Sequence, residues 1–180
     1  MSATALYGFL AHGIVFGAVV MLLPLGDRRR MLAFAVIPVA LATGIASFMN
    51  GVAGAPSLTL LALAVWQLAA IKPAPLTYRP ALILLALAIP FYAMALRLGP
   101  LDPYASGYQP LPLLAASLPL AALLWWRRLD CWLLILALDL AGYASGLFAN
   151  LWDALFDPLL VFVALAVVVR RHVRRAHNDE

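Results

Sequence analysis

The chain has 180 residues, of which 66% are hydrophobic and 11% charged, with a formal net charge of +4. An ordinary soluble domain is about half apolar and a quarter charged, so the composition excludes one and predicts an all-α polytopic transmembrane bundle. The single cysteine, Cys131, excludes an intramolecular disulfide and a thiolate metal cluster.

Apolar runs punctuated by Pro, Gly and Arg predict seven spans, at about 4–25, 32–52, 57–72, 80–98, 110–126, 131–149 and 157–170. Each span needs roughly 20 apolar residues, so the chain is one integral membrane domain with no room for a soluble catalytic one. Pro56, Pro80, Pro110 and Pro158 stand at or near the start of runs, where a missing N–H costs a helix least. Asp157 before Pro158 reads as an N-cap. Pro38 and Pro90 fall inside runs and are expected to kink them.

Basic residues fix the orientation, because they stay on the cytoplasmic side of short loops. Of the 12 Lys and Arg residues, all but Arg97 fall on one side of a seven-span arrangement. This predicts N-terminus out, C-terminus in, in a bacterial-type cell inner membrane. Trp125, Trp126, Trp132 and Tyr78 mark the inner boundary, and Tyr7, Tyr104, Tyr108 and Trp152 the outer. The N-terminus lacks the positive region of a cleavable signal, so the first span is expected to be retained.

A weak echo links Gly44–Asn50 with Ser145–Asn150, each followed by a proline and another apolar run. It permits a three-plus-one-plus-three internal repeat of the kind some transporters use. Chance matching in sequence rich in Ala, Leu, Gly and Ser accounts for it more readily.

Familiar catalytic signatures are absent. The residues that point to function are ionisable or polar groups at membrane depth. Asp139 falls about 12 Å into the sixth span, with Gly142 and Gly146 on its face, so it is expected on a helix–helix seam. His12 falls about 12 Å into the first span from the opposite side, so the two would differ in height by only about 6 Å. They read either as a solute-binding or proton-carrying pair, or as two separate packing contacts. Gln67 and Tyr92 are lesser candidates of the same kind.

At the outer helix ends gather Asn50, Arg97, Asp102, Asn150, Asp153 and Asp157, either a vestibule for a polar solute or interfacial caps with an ion pair to Arg97. His172 and His177 lie in the tail, far from His12, so neither a metal nor another cofactor is expected. The expected partners are the lipid bilayer, with anionic headgroups on the tail Arg170, Arg171, Arg174 and Arg175, and either a membrane protein or a second copy. Nucleic acid is not expected. Three functions follow: a small-solute binder or transporter, a non-catalytic subunit or assembly factor of a membrane complex, or an intramembrane enzyme acting on a lipid or isoprenoid.

Overall fold

The structure, a computed structural model, describes residues 2–100 and 102–178, with side chains as far as His172; those of Arg174, Arg175 and His177 fall outside it. Among the described residues there are nine α-helices and two short 3₁₀ turns. They run α1 (Ala3–Val20), α2 (Arg29–Ala42), α3 (Ile45–Ala53), α4 (Leu58–Leu68), α5 (Tyr78–Ala95), α6 (Leu111–Trp126), α7 (Asp130–Ala144), α8 (Leu151–Leu155) and α9 (Pro158–Asn178).

Three segments are long and apolar enough to cross a membrane unaided: Ala3–Val20, Tyr78–Ala95 and Leu151–His172. A fourth forms if Gly26–Ala42 and Ile45–Ala53, bent by 77° relative to each other, count as one. This is fewer than the seven expected, and the reason lies in the backbone. The expected second span breaks at Gly44, whose φ of 78° is left-handed and ends α2. The expected third span shrinks to the 11 residues of α4, about 17 Å at 1.5 Å per residue. The sixth stops at Ala144, because Gly146 takes a φ of 76°. Apolar run length overstated helix length wherever such a glycine sat at the end. By contrast, α2 and α5 continue without interruption through Pro38 and Pro90.

Direct contacts give the bundle two ends. At one, Tyr7 donates a hydrogen bond to the Pro56 carbonyl and meets Phe148 edge-on, and Phe91 packs on Trp152. At the other, Arg170 donates to the Leu22 carbonyl and Arg171 covers the Tyr78 ring. Arg28–Arg30, Lys72 and Arg79 flank helix ends there, so we call it the arginine end.

α4 is the central helix and touches α1, α7, α8 and α9. α2 packs on α1, α5 on α9, and α6 mainly on α7. The core is built largely from alanine, with Ala11, Ala33, Ala46, Ala81, Ala154 and Ala164 almost wholly enclosed. Small residues let helices approach closely where lipid removes any hydrophobic drive between them. Gly13 and Gly17 of α1 make one such place: a Cβ on Gly13 would meet Leu41, and one on Gly17 would meet Ile37 and the Ala33 carbonyl, all of α2.

Many large apolar side chains point outward. Phe48, Leu87, Ile89 and Trp126 are exposed, while His12, Ser57, Thr59, Asp139, Asn150 and Asp157 are buried within the apolar core. An exterior this apolar departs from that of a soluble domain and suits a bilayer solvent.

Candidate functional site

The break between α3 and α4 dictates what surrounds it. Pro56 and Ser57 are fully enclosed, so α4 begins inside the protein and its first N–H groups have no access to water. The Ser57 hydroxyl accepts from Leu60 N at 3.1 Å, a standard N-cap. Ser57 N itself donates to Asp157 Oδ2 at 2.7 Å, while Asp157 Oδ1 accepts from Leu160 N at 2.9 Å. One carboxylate thus caps its own helix, as the sequence predicts, and a second helix that the sequence does not pair with it.

Two residues along α4, Thr59 donates through Oγ1 to Asp139 Oδ2 at 2.7 Å. Asp139 is 2% exposed and its Oδ1 has no partner. The expected seam beside it exists in half: a Cβ on Gly142 would collide with the Leu58 side chain of α4, whereas Gly146 terminates α7 and does not extend that face.

His12 is 1% exposed. Its Nδ1 lies 2.9 Å from the Gly8 carbonyl, which can only accept, so Nδ1 carries a proton and donates. Nε2 has no partner. Among the described residues, three buried side-chain atoms are unsatisfied: His12 Nε2, Asp139 Oδ1 and the indole nitrogen of Trp66.

One packed layer relates the first two. Leu60, Leu63, Ile135 and Leu160 form a cluster against which Val15 packs. His12 stands one turn from Val15, Thr59 one turn from Leu63 and Asp139 one turn from Ile135, in each case toward the end away from the arginines. Each of the three polar residues therefore lies about one helical turn from that cluster. The start of α1 meets the turn that follows α7, where Thr4 Oγ1 donates to the Leu147 carbonyl at 3.0 Å. No hydrogen bond joins His12 to Asp139. Each keeps one free polar atom.

The outer candidates have a different character. Asn150 is fully buried; its Nδ2 donates to the Tyr104 carbonyl at 3.0 Å and its Oδ1 accepts from Trp152 N at 2.9 Å. Asp153 accepts from the Tyr104 hydroxyl at 3.0 and 3.1 Å. Trp152 donates from its indole to the Pro103 carbonyl, and Asp102 Oδ1 takes the N–H groups of Tyr104 and Ala105. These bonds clasp the turn Tyr104–Gly107 onto α8. Burial, followed by the Asp153 hydrogen bond, raises the Tyr104 phenol above its ordinary value.

Arg97 does not join this cluster. It is exposed with a left-handed φ of 64° just past α5, and the two carboxylates expected to hold it bind Tyr104 and backbone N–H groups instead. Asn50 lies half-buried on α3 against Gly8, whose missing Cβ makes room for its amide. In α7 and α8 the echo segment differs: Ser145–Asn150 is turn and cap, while Ile45–Asn50 is helix. Tyr92 stacks on Phe156 at 5.5 Å, and Gln67 lines a cavity at the arginine end.

Sequence reading passed over Ser57, Thr59 and the hydroxyl of Tyr7. The Pro-Ser pair before an apolar run is a helix-start signal, and it would have identified Ser57. Nothing local marks Thr59, whose partner is 80 residues away.

No family model matches this chain, and no curated protein or solved structure was found to be similar to it.

Proposed function

We propose that the chain is a multi-pass inner-membrane protein that binds or carries a small polar solute or a proton through its helix bundle, with Asp139, Thr59 and His12 as the site. The observation behind this reading is the pair of enclosed, unpartnered atoms, Asp139 Oδ1 and His12 Nε2, on two helices that both pack on α4. An unsatisfied buried polar atom costs about 1–3 kcal/mol, and ionisable groups at membrane depth mark solute and proton paths. A neutral imidazole offers a lone pair and a carboxyl offers either a lone pair or an O–H, so together they suit a small hydrogen-bonding guest or a proton passed through water.

The same reading takes α1, α2 with α3, α4, α5, α6, α7 and α9 as seven crossings, N-terminus out and C-terminus in. It is supported by the gathering of Arg170, Arg171 and Tyr78 with Leu22 at one end, the side that basic residues mark as cytoplasmic. The decisive test is proton and solute flux in proteoliposomes loaded with a pH dye. Asp139→Asn and His12→Ala should each abolish wild-type flux; wild-type rates in both, with a demonstrated substrate, would remove the site.

A second reading, a subunit of a larger membrane complex, draws on α6. None of its residues is buried and it packs mainly on α7, leaving Leu118, Trp125 and Trp126 outward. Stoichiometric co-extraction with other polypeptides from native membrane would favour that reading, and extraction as a lone chain would count against it.

A further inference from the structure

The arginine end contains a partly empty apolar space that the polar site does not use. The second halves of α1 and α4, the middle of α9 and the loop at 74–76 enclose a cavity of about 90 Å³, lined by aliphatic residues and proline apart from Gln67. A space with such walls stays dry and accepts apolar guests. None of its lining residues is acidic.

Its mouth is cationic. Leu22 lines the cavity, and its carbonyl accepts from Arg170 Nη1 at 3.3 Å. Leu76 also lines the cavity, and two residues later the Tyr78 ring carries the Arg171 guanidinium 4.4 Å from its centre. Val167 connects the two features, since it lines the cavity and lies within one helical turn of both arginines on α9. Each guanidinium is oriented by one contact and exposed, with donors left over in the planar fork that suits phosphate oxygens.

We infer that this cavity and its two arginines form a binding site for one anionic phospholipid, an acyl chain entering between α1, α4 and α9 while the phosphate rests on Arg170 and Arg171. The site does not depend on the Asp139 reading, because no residue is shared. It differs from the general attraction of basic segments to anionic leaflets in requiring the cavity as well as the charge. Free phosphate would use the arginines and ignore the cavity.

The test is native mass spectrometry of the full chain released from bilayers of phosphatidylcholine with a minor share of phosphatidylglycerol. The wild type should retain one phosphatidylglycerol. Arg170→Gln with Arg171→Gln should lower retention about 25-fold, at about fivefold per basic residue. Val19→Trp puts a bulky ring at a lining position that is 42% exposed and leaves both arginines in place, so it should also lose the lipid while melting like the wild type. Added glycerol phosphate should not displace it. The site is overturned by any of three results: full retention in Val19→Trp, which would mean surface attraction alone; displacement by glycerol phosphate, which would mean a free-phosphate site; or equal loss in Arg28→Gln with Arg29→Gln, which would mean diffuse charge.

Discussion

Asp157 and Asp139 are the same residue type, both buried, both hydrogen-bonded to the start of α4, yet one uses both its oxygens and the other only one. Asp157 receives two backbone N–H groups from two helices, at 2.7 and 2.9 Å. Asp139 receives one hydroxyl and leaves an oxygen bare. The contrast extends to their surroundings. Around Asp157 and Asn150, polar atoms are consumed in capping α4, α8 and α9, whereas around Asp139 and His12 an atom is left over on each. Burial alone therefore does not distinguish polar residues whose hydrogen bonds are spent from those with capacity left over. The proposed site rests on the second kind, because a protein gains nothing in stability by enclosing a group without a partner.

The comparison breaks most sharply at Asp157. Asp157→Ala strands the N–H groups of Ser57 and Leu160 inside the protein, and should lower stability by about 2–5 kcal/mol, read as a large fall in melting temperature of the detergent-solubilised protein. Gly107→Ala comes next. Its Cβ would overlap the Asn150 amide and approach Trp152 Cδ1 at 2.7 Å, against a side chain with nowhere to move. A loss of about 1–3 kcal/mol is expected, with proteolysis of the Tyr104–Gly107 turn as a second readout.

Asp139→Asn sharpens the comparison from the other side. Thr59 can still donate to an amide oxygen, so melting should shift by less than about 1 kcal/mol equivalent while flux is lost. A fall as large as that of Asp157→Ala would make Asp139 a structural group. Tyr104→Phe should have the smallest effect at neutral pH, about 1 kcal/mol or less for one hydrogen bond. Its pH dependence is more telling. A phenol whose folded pKa is raised contributes stability that is fully present below the unfolded value of about 10 and is lost as pH rises from there through the folded one. Tyr104→Phe should therefore lose less stability than the wild type in alkaline melts.

Orientation has a separate check in Cys131, the only thiol. A membrane-impermeant maleimide should label it in inside-out vesicles and leave it unlabelled in intact spheroplasts.

Several features were legible in the residues alone. The all-α class, and helices long and apolar enough to cross a membrane, follow from composition and the length of the apolar runs. The cap at Asp157 follows from a short oxygen-bearing side chain before proline. Helix ends were less legible, because apolarity runs on through Gly44 and Gly146 and only their left-handed backbone stops the helix. Tertiary structure alone decided which groups were spent. Asp157 finds Ser57 across 100 residues, Asp139 finds Thr59 across 80, and Asp153 takes Tyr104 rather than Arg97. Hydrogen bonds are short and directional, so partner choice depends on where helices cross, and helix crossings are set by small-residue contacts that one-dimensional sequence spacing does not record.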